Sequence, residues 1–469
     1  MVNVYSSPKI LDFGINKSAY DLISETLSTW SSKPPYEIKK GLSEEKFKEK
    51  FEPILEAIKS GYGSIQESAT ISVQAILPRS DTLALVSFLP GSSHLQQSLR
   101  YTLPQVKVGG DAQSVIFIPR ELYGKSNDIL KSFEKSIDLY FELNKNLKVL
   151  PTRKPEEEAR YHLPWNLGTF ISSNINLAHL SYMLRLTEEY SCTPTFREFA
   201  LQLLSKLYEK DSYLGKLVEK VSDEINIGKY YPTPYPFVSS RLALKYDKEF
   251  EKNGKYEVKY LGHDFSYLKK YSKDELEDIV KTGIKEGKFD DLVCRVSFAV
   301  KHSGVARHEI VRHRTVFQTS TSLYDAAERG EIIITQPIRN LPDALYNEYL
   351  SHIEDQFSLY DELKYSNASI GVLPHNIAFT TVLELDGYNI FNYRAFLGNR
   401  CCELAQFEVQ MLANQMSKIV SNLLREEGLD ILTNITHANC FKIRKCPELK
   451  ERAEKCSIFQ AKSFEKSLF

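Results

Sequence analysis

Net charge is nearly absent from this chain: 60 lysines and arginines face 61 aspartates and glutamates across 469 residues, leaving −1 at pH 7 with histidine neutral. Such a balance argues against a generic nucleic-acid binder, which carries a clustered basic excess to neutralise phosphates. Basic side chains must therefore act locally, on small anions. Long apolar runs are missing too, so no membrane span is expected. The opening stretch, MVNVYSSPKILDFG, lacks the extended apolar core of a signal peptide, and a cytoplasmic location is expected. Cysteine is scarce and odd in number, seven in all, which fits a reducing compartment better than a disulfide framework. His437, Cys440, Cys446 and Cys456 follow a His-x2-Cys-x5-Cys-x9-Cys spacing without the tight Cys-x2-Cys knuckle of strong zinc sites, so no metal is expected.

What remains is an ordinary globular composition, 42% hydrophobic and 26% charged, in a chain long enough for several domains. Its order of elements repeats. Leu42 to Ser60 has helical periodicity, Ala69 to Ile76 alternates like a strand, Val115 to Ile118 reads as a second strand, and a helix follows from about Asn127 to Asn146. Tyr271 to Glu286, Val296 to Val300, Ile332 to Pro337 and the helical stretch around Phe357 to Leu363 replay that order. Leu373-Pro374 answers Leu163-Pro164, and Asn389 and Arg400 stand eleven apart, as do Asn174 and Arg185. The expected fold is α+β (α/β) in two tandem domains, 1–225 and 257–469, each a small sheet packed with long helices, joined by a linker region at 226–256. A tandem repeat of this kind suggests a fused dimer.

The most distinctive local feature is Arg312-His313-Arg314, followed after seven residues by Ser322. Adjacent side chains that can all be positive repel one another, so an anion is expected beside them. Arginine suits phosphate because its planar fork grips two oxygens and stays charged.

These residues resemble the signature of flavin-dependent thymidylate synthases (ThyX), RHR-x7-S. Arg400-Cys401-Cys402-Glu403-Leu404-Ala405-Gln406-Phe407-Glu408 is similar to the family's R-x4-A-Q-x-E helix. In the first half, Gln96-Gln97-Ser98-Leu99-Arg100-Tyr101 resembles the end of the signature, Q-Q-S-x-R-Y, but Phe88-Leu89-Pro90 stands where RHR belongs. Gly61-Tyr62-Gly63-Ser64 is similar to the family's entry segment. The second half has complementary losses, with Tyr324 at the S-x-R arginine, Ile370 at the position matching Arg160, and Phe391 for a further arginine.

The resemblance implies reductive methylation of dUMP to dTMP, with FAD as cofactor and NADPH and methylenetetrahydrofolate as co-substrates. It assigns Gln96, Gln97, Ser98, Arg100, Arg160, Arg185, Ser322 and Arg400 to the nucleotide, and Arg312, His313, Arg314, Asn174 and Asn389 to the flavin. Arg312, His313, Arg314 and Arg185 are the expected catalytic groups. Ser98 and Ser322 are read as positioning residues, since no histidine and acid spacing marks an activated serine. Because each half is incomplete, the expected site pairs nucleotide-binding residues of the first half with RHR of the second. The chain would dimerise into a pseudo-tetramer and bind one nucleotide per chain. The alternative is a decayed relative that binds nucleotide or flavin without catalysis.

Overall fold

Two runs of nine residues in each half form the centres of two matching sheets. The computed structural model describes residues 2–60, 64–87, 92–98, 115–149, 153–189, 192–224 and 236–460. A two-stranded ribbon joins β1 (Asn3–Tyr5) to β5 (Val115–Phe117). The first sheet has the order β2 (Lys9–Ile15), β3 (Thr70–Pro78), β6 (Gly168–Asn176), β4 (Ser93–Gln96). The second has β7 (Glu257–Asp264), β8 (Arg295–Ser303), β10 (Ala378–Asp386), β9 (Phe317–Ser320). Both are antiparallel throughout, so the architecture is α+β. Alternation along β3 explains its setting: Ile71, Val73 and Ala75 are buried while Ser72 and Gln74 face out.

The sheets match in register as well as order. Thr70 to Pro78 pairs with Asn176 to Gly168, as Arg295 to Ser303 pairs with Asp386 to Ala378. Each outer pair carries one irregularity, between Ile10 and Asp12 and between Tyr260 and Gly262. The chain turns into helix after each central strand, as α1 (Arg79–Ser87) and later α6 (Gly304–Ile310). Helices α2 (Ser126–Asn146) and α7 (Asp343–Leu363), each of 21 residues, meet across the halves. Phe133, Ile137, Tyr140, Tyr349, Ile353 and Leu363 belong to one apolar core. The halves are therefore not independent globules. Leu163-Pro164-Trp165 lies antiparallel to Leu373-Pro374-His375, with Trp165 N–H donating to Leu373 O at 3.0 Å and His375 N–H to Leu163 O at 2.9 Å. A local twofold relation passes between the two prolines.

Of three expectations, two need correction. One long helix is expected to carry both Asn174 and Arg185; Asn174 instead lies in β6, where Ile171, Ser173 and Ile175 alternate inward, and only Arg185 is helical, on α3 (Leu177–Glu189). Ile332 and Ile333 form no named strand but hold the place of β5: Ile332 bridges Ile377 as Ile116 bridges Leu167, and Ile333 N–H donates to Asn376 O at 2.8 Å as Phe117 N–H donates to Asn166 O at 3.0 Å. Within the expected linker, α5 (Arg241–Asp247) packs on the second sheet, with Tyr246 and Phe250 covering Ala299 and Val382.

Candidate functional site

The ends of strands from both halves converge on one cleft. The first half contributes Arg79, the residue after β3; Gln96, Gln97 and Ser98, at and beyond the end of β4; and Arg160, in the short 3-10 turn Arg160–His162. The second half contributes Val305, His308 and Glu309 of α6, then Arg312 and His375. The cleft encloses about 410 Å³ including its open mouth. Thus Arg160 and Ser98 meet Arg312 within a single chain. Arg100 lies outside the described residues.

The cleft is cationic and short of partners. Arg79 is buried, donating to Gln97 O at 3.1 Å and to Thr169 Oγ1 at 3.4 Å, while its Nε has no partner among the described residues. Arg160 is also buried; its Nε donates to Glu157 O at 3.1 Å and one terminal nitrogen has no partner among the described residues. Burial, and then the charges of Arg160 and Arg312, hold the Arg79 guanidinium well below its usual pKa. His308 packs against the Trp165 indole with ring centroids 5.5 Å apart, and neither ring nitrogen is bonded among the described residues. Burial and the neighbouring Arg79, His375, Arg312 and Arg160 push it well below the usual imidazole range. His375 donates Nδ1–H to Leu163 O at 2.5 Å, leaving Nε2 as an unused acceptor. Unpaired buried donors are costly, and an anion accepting from several of them at once relieves the cost.

The residues around Arg312 are held by the C-terminal segment. Arg400 donates from Nε to His313 Nε2 at 2.6 Å, and from its two terminal nitrogens to Glu309 Oε2 and Glu309 O, each at 3.0 Å. His313 is consequently an acceptor, and burial and Arg400 push its pKa down to about 3. The expectation of three positive neighbours is corrected here: His313 is neutral, its edge against Phe396, and the cation pair is Arg312 and Arg314. Asn389 donates to Thr315 O at 3.1 Å and to Asp386 at 2.8 Å, and accepts from Thr315 Oγ1, so its side chain brackets the residue after Arg314. Arg314 is exposed, near enough to His94 of the first half to depress its pKa. Arg185 pairs with Glu188 at 3.2 Å on α3 and is not among the cleft residues.

A model of the family described as thymidylate synthase complementing protein matches residues 21–211 and 274–424, most of the chain and both repeats. The chain belongs to this family. No curated protein matches it. Among solved structures it is similar to the UMP/dUMP methylase PolB from Streptomyces cacaoi bound with 5-Br dUMP. That likeness has 13% identity over 46% of this chain and 96% of that one, with a TM-score of 0.34. The same enzyme bound with 5-Br UMP gives 14%, 47%, 97% and 0.32.

The family motif Ala405-Gln406-Phe407-Glu408 bridges the halves. The expected helix over Arg400 to Glu408 is broken: one helix, Phe396–Arg400, ends at Arg400, and α8 (Phe407–Glu426) begins at Phe407. Glu408 accepts from Tyr161 OH at 2.8 Å, from Ser303 N–H at 2.6 Å and from Ser303 Oγ at 2.5 Å, while Gln406 donates to Tyr161 OH. Arg153 adds a bond to Ala405 O at 3.1 Å. This buried carboxylate therefore fixes Tyr161, next to Arg160, and the strand end before α6. Sequence reasoning noticed the motif and gave its acid no role. Arg79 was missed altogether, since no motif contains it and only the fold brings it to the cleft.

The symmetry-related position is filled. Strand register makes Gln96 equivalent to Ser320, and so Ser98 to Ser322. Ser322 caps the helix Leu323–Arg329, bonding Asp325 through its Oγ. Tyr324 packs near Phe237, Ile370 is fully buried in the shared core, and Asp81, bonded by Thr193 at 2.6 Å, is the buried acid beside them. The same register pairs Asn174 with Glu384 rather than Asn389, so the repeated eleven-residue spacing does not join equivalent positions. Asn174 is exposed on β6, 3.5 Å from Ser93 Oγ. Among the described residues, no group of three or more His, Cys, Asp or Glu is placed to hold a metal, and no helix is long and apolar enough to cross a membrane.

Proposed function

We propose that this chain is a flavin-dependent thymidylate synthase that methylates dUMP reductively to dTMP, using methylenetetrahydrofolate and NADPH, at one site per chain. The observation that carries the reading is the cleft in which Ser98 and Arg160 of one half face Arg312 of the other. Neither half supplies this set alone. Guanidinium groups aimed from separate elements suit a nucleotide monophosphate, and a fixed positive charge beside the pyrimidine stabilises negative charge developing as C5 becomes nucleophilic.

The residues near the cleft also fit a flavin nucleotide. Arg314 has no ion pair among the described residues, and the buried Nε2 of His94 beside it is unbonded. These groups and Arg312 would hold the anionic cofactor, which when bound supplies the hydride for the reduction. The protein's own work is positioning: Arg400 orients His313 and Glu309, and Asn389 fixes the turn after Arg314.

The test is turnover of 5-deuterated dUMP by the full chain with FAD, NADPH and methylenetetrahydrofolate, repeated on Arg312→Ala. Deuterium release and dTMP formation that are lost in the variant are expected. Binding of dUMP and flavin without deuterium release would instead identify a relative that binds without methylating.

A further inference from the structure

Buried arginines that serve stability are normally paired with a carboxylate, because removing an unpaired guanidinium from water is costly. Arg79 is 6% exposed and, among the described residues, bonds only to the neutral oxygens of Gln97 and Thr169. Of the acids around it, Asp81 bonds Thr193 and Ser80 through Oδ1, with Oδ2 unbonded among the described residues, and Glu309 bonds Arg400 and pairs with Arg312 at 3.6 Å. The charged groups that act on Arg79 are two further cations, Arg160 and Arg312. Its unbonded Nε and one unbonded terminal nitrogen of Arg160 line the same cleft.

The matching position in the second half shows the contrast. Register places Gly304 where the first half has Arg79. A Cβ there would stand 2.3 Å from Trp165 Cζ2 and 2.7 Å from His375 O, so Trp165 closes that position. One repeat has a guanidinium and the other has none.

We propose that Arg79 is a nucleotide-binding residue that completes a phosphomonoester subsite with Arg160 and Arg312, and that it sets the preference of the site for nucleoside monophosphates over nucleosides. The proposal rests on the nucleotide reading above and adds a residue outside the signature motifs. A phosphate accepting from three guanidinium groups relieves their mutual repulsion and satisfies the unbonded donors together. The neutral sugar and base gain nothing from Arg79.

The experiment measures binding of dUMP, deoxyuridine and inorganic phosphate to the full chain by calorimetry, with thermal unfolding as a second readout. Arg79→Gln and Arg79→Lys are compared with the natural chain. In Arg79→Gln, dUMP affinity is expected to fall by about 10- to 100-fold, the phosphate-induced rise in Tm to disappear, and deoxyuridine binding to stay unchanged. Arg79→Lys should fall between, because it keeps the charge and loses the fork; it also serves as the readout where the glutamine variant fails to fold. Equal dUMP affinity in the natural chain and in the folded variants would overturn the proposal. So would a parallel loss for deoxyuridine, the mark of a structural role. Phosphate binding that depends on Arg79 in a chain that does not bind dUMP would uphold the anion subsite and sink the nucleotide reading instead.

Discussion

Arg160 and Arg312 reach the cleft from different repeats, yet each works only because another residue fixes it. Tyr161, adjacent to Arg160, is tied to Glu408, and Arg312 follows Glu309, which Arg400 holds. Substituting Arg160→Ala should weaken dUMP binding by about 10- to 100-fold, the scale of one charge-assisted hydrogen-bond set, with little change in folding. Equilibrium binding and a denaturation midpoint separate the two effects. Glu408→Gln should do the reverse. Its carboxylate accepts three buried bonds, and an amide cannot accept them all. A loss of about 2 kcal/mol in stability is expected, with weaker nucleotide binding as a consequence; urea titration gives the first and calorimetry the second.

At the scale of elements, the seam at Leu163-Pro164-Trp165 and Leu373-Pro374-His375 decides whether the halves meet correctly. Trp165 is fully buried, 4.3 Å from the His375 ring centroid and stacked near His308, so it props two cleft residues from behind. Trp165→Ala should cost about 3–5 kcal/mol through the cavity it leaves. Gly304→Ala is the complementary test. Its new Cβ would meet a rigid indole and a backbone oxygen, for which about 1–3 kcal/mol of overpacking is expected. Both are read from denaturation midpoints. If Gly304→Ala were neutral, the close approach of the two repeats at this point would be wrong.

The whole molecule carries an unusual load of buried imidazole. Of the ten histidines, eight are pushed below their usual value by burial, His94, His302, His313 and His352 to about 3 and His162 to about 4. Such a group stays neutral when folded but takes a proton in the unfolded chain below pH 6.5. Its contribution is therefore complete above that pH and falls by about 1.4 kcal/mol per unit below it. Three buried carboxylates oppose the trend: burial holds Glu158 at about 7 and Asp81 at about 6 and raises Glu408, so each favours the folded state as pH falls toward the ordinary carboxylate range. Histidines outnumber them, and the urea midpoint should be lower at pH 5.5 than at pH 7.5. A higher midpoint at pH 5.5 would mean that the imidazoles are not excluded from water.

Local pattern alone determined the repeat, the helices at 44–59, 126–146 and 273–286, and the strands at 70–78 and 295–303, because periods of two and 3.6 are written in neighbouring residues. It also singled out Arg160, Ser98 and Arg312, because motif spacing survives in the chain. What only the tertiary structure decided is which of these residues meet. Arg79 belongs to no pattern and enters the cleft because β3 ends there, whereas Arg185, chosen on the family resemblance, pairs with Glu188. Asn174 and Asn389 share a spacing and not a position, since strand register, set by pairing over long sequence distances, does not follow a count of residues along the chain. Charge was likewise decided by surroundings: His313 looks cationic between two arginines, and burial against Arg400 makes it neutral.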